Sequence, residues 1–155
     1  MPKTNAIRIL ESKGISFHTF DYEVDNEDLS GETVAQKINA DPDSVFKTLV
    51  GRGDKTGLVV FCIPVTAELD LKKAAIASSN KKVEMIKQKE LLPLTGYVRG
   101  GCSPIGMKKL YPTYIDENAQ LFDKVYFSAG IRGTQILLRA DDLVNVINGK
   151  YADLT

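Results

Sequence analysis

The sequence contains one histidine and two cysteines among its 155 residues. A zinc site takes about four closely spaced cysteine or histidine ligands, so this scarcity argues against one. Cys62 and Cys102 lie far apart and show no paired-ligand spacing. Cys62 belongs to the apolar run 57–63, which is typical of a small buried hydrophobe. We therefore expect neither a metal nor a cofactor.

The sequence also lacks an apolar run long enough to span a bilayer, and no hydrophobic signal segment follows Met1. These absences, together with the few cysteines, predict a reduced, cytoplasmic protein without a membrane partner. At 155 residues, 43% of them apolar, the chain is long enough to bury a core. We predict one domain over residues 1–155.

The sequence also has no excess of positive or negative charge, since the formal net charge is zero. The charges are nevertheless unevenly distributed. Residues 46–110 contain twelve basic and five acidic side chains, a balance of +7, whereas residues 1–45 have −5 and residues 111–155 have −2. A basic central third favours a surface that binds a polyanion. The alternative, that these lysines are only the solvated faces of helices, remains open.

The pattern of apolar and turn residues predicts short helices and strands. Helices are expected to begin at Thr4 or Asn5, at Ser30, at Thr66 or Asp70, and at Asp141. A further helix over 88–92 is expected to stop at Pro93. The predicted strands are 15–20, 45–51, 58–63 (the central one), 81–86, 113–116, 124–128 and 134–139. This succession predicts an α+β fold, a single domain whose curved mixed β-sheet closes toward a barrel with peripheral helices.

Residues 100–106, with the sequence GGCSPIG, form the most distinctive loop. Gly100 and Gly101 can turn their amide N–H groups inward because neither has a Cβ, and Pro104 stiffens the far side of the turn. Such an array of backbone donors suits a carbonyl oxygen, a carboxylate or a phosphate. A run of this kind is also common in ordinary surface turns.

Lys47 lies in a predicted strand, on the same face as the apolar residues Val45 and Leu49. A strand fixes a cation in place better than a loop does, as anion recognition requires. Equally, the lysine could only extend its ammonium group to solvent. Neither His18 nor Cys102 has an evident catalytic partner, so we expect His18 to be an exposed strand residue and Cys102 to be packed.

Three motifs, taken together, resemble the YbaK-type aminoacyl-tRNA deacylases, a family related to the editing domain of bacterial prolyl-tRNA synthetases. They are residues 45–49 (VFKTL), the loop 100–106, and residues 128–133 (SAGIRG). The likeness extends from Ala6 to Ala152. It implies a curved mixed-sheet domain that hydrolyses cysteine mischarged onto tRNA(Pro), acting in trans beside prolyl-tRNA synthetase.

The resemblance also implies roles for individual residues. Lys47 would hold the terminal adenosine or its phosphate, and the amides of Gly100 and Gly101 would hold the aminoacyl carbonyl. The implied substrate-binding residues are Tyr22, Ser30, Thr48, Ser103, Ser128, Gly130 and Gln135.

Two departures from the family pattern alter the implied pocket wall. The chain has Leu29-Ser30 where the family has a phenylalanine, and Gln135 where it has an aspartate. The choice between cysteine, alanine and other small amino acids therefore stays open.

The residues offer no Ser-His-Asp, Cys-His or metal–water arrangement. An aminoacyl ester is already activated, however, and one aimed backbone donor contributes about 3–4 kcal/mol to the stability of an oxyanion. In a YbaK-like mechanism the substrate's own thiol attacks its carbonyl, so proximity replaces a protein nucleophile. The alternative from another class is a non-catalytic module that binds tRNA ends or a synthetase.

Overall fold

Two β-sheets and five α-helices make up residues 3–155, the part of the chain that the computed structural model describes. The helices are α1 (Asn5–Ser12), α2 (Gly31–Lys37), α3 (Leu71–Ala77), α4 (Gln88–Thr95) and α5 (Ala140–Ile147). The strands are β1 (His18–Asp21), β2 (Phe46–Gly53), β3 (Gly57–Pro64), β4 (Val83–Met85), β5 (Thr113–Asp116), β6 (Val125–Ser128), β7 (Thr134–Leu138) and β8 (Lys150–Ala152). Two 3-10 helices, Pro42–Ser44 and Glu117–Leu121, complete the fold. The predicted domain over 1–155 also includes Met1 and Pro2, which lie outside the described residues.

The larger sheet has five strands in the order β4-β2-β3-β5-β8, and the smaller has three in the order β1-β7-β6. β3 pairs antiparallel with β2 and parallel with β5, so the larger sheet is mixed. The predicted single α+β domain with a mixed sheet is confirmed. Closure into a barrel is not reached, because within residues 3–155 only one isolated bridge, between Val45 and Tyr126, joins the sheets.

The main core lies where the larger sheet meets the smaller one. Phe46 of β2 stacks on Phe127 of β6, with ring centroids 5.4 Å apart, and α1 and α5 bury their apolar faces in the same cluster. The alternate residues of β3 point to the other side, where Phe61 joins a second cluster with α3. β3 is therefore buried on both faces, which explains its continuous apolar sequence and confirms its predicted central position.

Most helix boundaries agree with the turn chemistry of the sequence. Thr4, Ser30 and Asp70 cap α1, α2 and α3 with their side-chain oxygens. The predicted cap at Asp141 is wrong, because Arg139 holds that position and Asp141 instead accepts a hydrogen bond from Tyr151 Oη at 2.6 Å. No helix within residues 3–155 combines the length and the apolar character needed to cross a membrane.

The predicted end of α4 at Pro93 is also wrong, because the helix continues to Thr95 and ends at Gly96, whose φ is +86°. Side chains from the following segment stabilise this last turn. Tyr111 Oη donates to the carbonyl oxygen of Leu94 at 2.7 Å, and Lys108 Nζ donates to that of Pro93 at 3.2 Å. These tertiary hydrogen bonds provide donors for carbonyl oxygens of the last turn, which have no partner within the helix.

We expect the substitution Leu143→Ala in α5 to lower the free energy of unfolding by about 2–5 kcal/mol, since it would leave a cavity in the main core. Leu143 is fully buried. Leu121→Ala removes the same atoms from a side chain that is 78% exposed, and should change stability by less than about 0.5 kcal/mol. Urea unfolding of both variants measures the difference. Equal losses would contradict the described packing.

Candidate active site

A cleft with a volume of about 440 Å³ lies between the two sheets, beside the N-terminal ends of α2 and α4. Its wall includes residues of β2, β6 and β7 and of the loop after α4. Six of the ten site residues predicted from the sequence line this cleft: Ser30, Lys47, Thr48, Gly100, Ser128 and Gln135. Residues from distant parts of the chain are therefore brought to one place.

The other four predicted residues lie outside the lining. Tyr22 lines a small adjoining cavity of about 10 Å³, which shares Leu29 and Gly100 with the cleft. Ser103 is fully buried, and its Oγ accepts a hydrogen bond from the Ile105 amide at 3.2 Å. Gly101 and Gly130 do not line the cleft. They belong to the two glycine-bearing loops, residues 100–106 and 128–133, that contribute other residues to it.

Gly100 occupies the third position of a tight turn over residues 98–101. Its φ is +84°, in the region that favours glycine, and the Gly101 N–H donates to the Val98 carbonyl oxygen at 3.0 Å. The expectation that both glycine amides point inward is thus not met, because the turn uses the Gly101 amide. The Gly100 amide has no hydrogen-bond acceptor within residues 3–155, so it is free to donate to a ligand.

Gly101 is required for another reason, which is the close approach of two loops. A Cβ at this position would lie 3.0 Å from both the Ile131 carbonyl carbon and the Arg132 amide nitrogen. The side chain of Arg132 holds the same contact, since its Nε donates to the Arg99 carbonyl oxygen at 2.8 Å. The backbone around Gly100 is therefore positioned by the second glycine-bearing loop.

Tyr97 and the N-terminus of α1 fasten these two loops from behind. Tyr97 Oη donates to the Ile105 carbonyl oxygen, and a Cβ at Gly130 would lie 2.9 Å from the Tyr97 ring. Thr4 Oγ1 donates to the Ala129 carbonyl oxygen, and Asn5 Nδ2 to that of Gly106 at 3.0 Å. Sequence analysis did not assign these positioning roles, because no local pattern shows which carbonyls a side chain will reach.

Two of the lining hydroxyls already have structural partners. Ser30 caps α2, with its Oγ accepting from the Thr33 amide at 3.3 Å. Ser128 Oγ accepts from the Gly130 amide at 3.2 Å, which shapes the turn that leads into β7. Each hydroxyl therefore fixes local backbone as well as contributing to the wall.

The charged residues of the cleft are mainly basic. Lys47, Lys87 and Arg99 line it, with Glu32 as the one carboxylate. Lys47 is half-buried, whereas the other three lie exposed at the mouth of the cleft, defined here by Glu32, Lys87 and Arg99. This arrangement suits an anion.

Other basic residues of the central third are paired at the surface. Lys82 contacts Glu84 at 2.9 Å, and Lys73 contacts Asp153 at 3.1 Å. The basic central third therefore supplies lysines both to paired surface positions and to the lining of the cleft.

Cys102 lines the cleft and is 8% exposed. Its burial raises the pKa of the thiol to about 12, so the group is protonated at neutral pH and is a poor nucleophile. Burial also raises the pKa of Cys62 to about 12. Within residues 3–155, no three histidine, cysteine, aspartate or glutamate side chains converge to form a metal site.

The floor of the cleft, defined here as Cys102, Ser128 and Gln135, is buried and uncharged at neutral pH. Gln135 is 6% exposed. Its Oε1 is the one buried side-chain nitrogen or oxygen in residues 3–155 that has no hydrogen-bond partner. A mouth of exposed charges thus leads to a neutral polar floor, which suits a ligand with an anionic outer part and a small polar inner part.

Three comparisons relate this chain to known proteins. A family model described as an aminoacyl-tRNA editing domain matches residues 27–146. A protein of Enterococcus faecalis named as a candidate Cys-tRNA(Pro)/Cys-tRNA(Cys) deacylase, EbsC, is 48% identical over 153 residues, which cover 99% of this chain and 93% of that protein.

Two solved structures share the fold. A candidate trans-editing enzyme for prolyl-tRNA synthetase has a TM-score of 0.84 at 24% identity, covering 96% of this chain and 92% of that one. The hypothetical protein APE2540 has a TM-score of 0.88 at 18% identity, covering 97% of this chain and 99% of that one.

The buried thiols predict a loss of stability in alkali. Because the pKa values of Cys62, Cys102 and Tyr97 are all raised to about 12, the unfolded chain gives up these protons at lower pH than the folded one. Their contribution is complete below about pH 9 and declines toward pH 12, by about 1 kcal/mol per thiol at pH 10. Urea unfolding at pH 8 and pH 10 measures the decline. It should be smaller in Cys102→Ala, and an equal decline in that variant would contradict the assignment.

Proposed function

The chain belongs to the aminoacyl-tRNA editing domain family, and we propose that within it the protein removes cysteine from mischarged tRNA(Pro). The resemblance to YbaK-type deacylases seen in the three sequence motifs is confirmed. The protein is an aminoacyl-tRNA deacylase, and its substrate is an aminoacyl-tRNA. Cysteine is favoured because the 48% identical relative is named for Cys-tRNA(Pro) and Cys-tRNA(Cys).

The single observation that carries the mechanism is that Lys47 and Gly100 line the same cleft. In the proposed complex, the Lys47 ammonium holds the terminal adenosine or its phosphate. Lys87 and Arg99 at the mouth bind the preceding phosphates of the single-stranded acceptor end. Contacts of this kind are salt-sensitive and read little sequence.

The Gly100 N–H is proposed to hold the aminoacyl carbonyl and to stabilise the oxyanion that develops on it. A donor fixed before the reaction contributes about 3–4 kcal/mol because it needs no reorganisation. Gly101 supports this donor through the turn bond to Val98 and through the close packing against Ile131. Both glycines therefore belong to the proposed catalytic loop. Gly100 supplies the donor, and Gly101 holds its backbone in place.

No protein nucleophile is needed if the substrate supplies its own. His18 is exposed on β1 and does not line the cleft, and Cys102 is held as a protonated thiol. In the proposed step the substrate sulfur forms a bond to its own carbonyl carbon and the ester C–O bond breaks. The ribose oxygen leaves with the thiol proton, and a cyclic thioester is released. Holding the thiol near the carbonyl supplies the rate enhancement.

The remaining predicted residues are proposed to shape the amino-acid pocket. Thr48 and Ser128 line it directly, and Ser30 contributes to the wall at the start of α2. Thr48 Oγ1 lies 3.8 Å from Cys62 Sγ, which orients its hydroxyl against the sheet. Tyr22, Ser103 and Gly130 are assigned supporting positions behind this wall.

We propose that the editing domain extends over the whole of residues 1–155. The family model begins at residue 27, yet Ile7 and Leu10 of α1 belong to the same core as the cleft strands, and Leu154 is fully buried. We propose that the protein acts in the cytoplasm, where charged tRNA is used. Prolyl-tRNA synthetase is the proposed partner that supplies tRNA selectivity.

Two alternative functions are considered beside the removal of cysteine. Gln135 stands where the family pattern has aspartate, so the same scaffold could act on Ala-tRNA(Pro) or other small aminoacyl esters, with water as the nucleophile. A module that binds tRNA ends without turnover would show affinity for these esters and no hydrolysis. Deacylation rates of Cys-tRNA(Pro) and Ala-tRNA(Pro), measured beside binding, distinguish all three functions.

We expect wild-type protein to deacylate Cys-tRNA(Pro) faster than Ala-tRNA(Pro), and Lys47→Ala to lower kcat/KM by about a hundredfold or more, because a charge-assisted contact is lost. Lys150→Ala is the matched control, since Lys150 is exposed on β8 at the sheet edge opposite β4. It should retain activity. Unchanged turnover in Lys47→Ala would remove Lys47 from the site, and faster hydrolysis of Ala-tRNA(Pro) would favour the first alternative.

We expect Cys102→Ala to keep deacylation within about threefold of wild type, because a thiol with a pKa of about 12 is not the nucleophile. Rates with Cys-tRNA(Pro) at pH 7.5 measure this. A loss of two orders of magnitude, with an unchanged unfolding midpoint, would instead make Cys102 a participant in the reaction.

A further inference from the structure

We propose that Gln135 binds the α-amino group of the substrate, with Oε1 accepting a hydrogen bond from it at the floor of the cleft. This inference rests on the proposed function and names the group of the aminoacyl ester that the floor recognises. It makes Gln135 a specificity-determining residue for α-aminoacyl esters as a class.

The first observation is the unpaired oxygen itself. Gln135 is 94% buried and lines the cleft, and no donor within residues 3–155 reaches its Oε1. A buried polar atom without a partner is costly, and most such atoms in folded proteins are paired. A donor that a ligand brings into the cleft would provide the missing hydrogen bond.

The second observation is that the backbone of Gln135 is held from both sides. β7 is the middle strand of the smaller sheet, and Gln135 pairs with Phe20 of β1 and with Ser128 of β6. A residue in the middle of a three-stranded sheet is fixed more firmly than one in a loop. The backbone that carries the carboxamide is thus held in place before a ligand binds.

The third observation concerns which donor of the substrate reaches this depth. The exposed cations at the mouth suit the tRNA phosphates, which leaves the amino acid for the buried floor. Of the donors on a cysteinyl ester, the α-amino group is strong and the thiol is weak. The amine is also shared by every aminoacyl ester, so Gln135 should act alike on cysteine and alanine.

The groups facing this position leave the carboxamide as the acceptor at the floor. The titratable groups that line the cleft around Gln135 are Lys47 of β2, Lys87 and Arg99 at the mouth, the Cys102 thiol, and Glu32 of α2. Glu32 is exposed, so the buried floor contains no carboxylate. A carboxamide accepts the amine hydrogen without fixing a negative charge there.

Binding of two non-hydrolysable analogues tests the proposal independently of turnover. They are 3′-alanylamido-3′-deoxyadenosine and its propionylamido counterpart, which lacks only the amine. We expect wild-type protein to bind the alanyl compound about tenfold or more tightly, as one hydrogen bond to an amine allows. Gln135→Met, of similar shape, should lose this preference while its affinity for the propionyl compound stays unchanged. Gln135→Glu should keep the preference, because a carboxylate also accepts from an amine.

Each contrary result has a distinct meaning. Equal binding of the two analogues by wild type, binding of neither, or equal weakening of both in Gln135→Met would overturn the proposal. So would a loss of deacylation in Gln135→Met confined to Cys-tRNA(Pro) with Ala-tRNA(Pro) unaffected, since that would assign the thiol to Gln135. If wild type shows the amine preference but hydrolyses neither ester, the proposed function fails and the role of Gln135 stands. Unfolding midpoints of both variants establish that they are folded.

Discussion

The close packing of two glycine-bearing loops is the constraint on which the site depends. A Cβ at Gly101 would lie only 3.0 Å from backbone atoms of Ile131 and Arg132, closer than side chains usually approach. Arg132 then ties the loops together through the Arg99 carbonyl. One loop follows α4 and the other joins β6 to β7, so their contact sets the distance between the Gly100 amide and the floor residues Ser128 and Gln135. The Gly100 amide and the floor of the cleft are therefore connected through packed backbone.

This construction explains how a site can act on an ester without an acid–base side chain. In the proposed mechanism the stabilising groups are a backbone N–H and an ammonium on a strand, neither of which must change protonation state to act. Their positions are fixed by sheet pairing and by loop packing, so little reorganisation accompanies the reaction. The corresponding cost is that catalytic power depends on the substrate being reactive already. Such a site is suited to removing activated errors and unsuited to cleaving stable amides.

Sequence reasoning was most successful where the signal was local. The caps at Thr4, Ser30 and Asp70 identified three helix starts, and the apolar run of β3 identified the central strand. Two misplaced boundaries, at Pro93 and Asp141, have a common cause. In each case a tyrosine from the segment that follows the helix hydrogen-bonds near the misplaced boundary, and local propensity carries no information about that partner. The strand β8 was not predicted for the same reason. Its three residues form a strand by pairing with β5.

The sequence predicted which residues line the cleft better than it predicted their arrangement. Lys47, Gly100 and Gln135 come from three separate motifs, and six of the ten predicted residues line the cleft. The engagement of the Gly101 amide within the turn could not be inferred from two adjacent glycines, because it depends on the conformation adopted at Gly100. The roles of Tyr97 and Arg132 in fastening the loops required coordinates for the same reason.

The pairing of β1 with β7 has a consequence for how the chain is made. β1 ends at Asp21, and its partner begins at Thr134, so more than a hundred residues must be synthesised before the first strand can be covered. α1 also waits, since it packs against residues near Ala129. Contacts between such distant segments slow folding, and apolar surface stays exposed to the cell in the meantime.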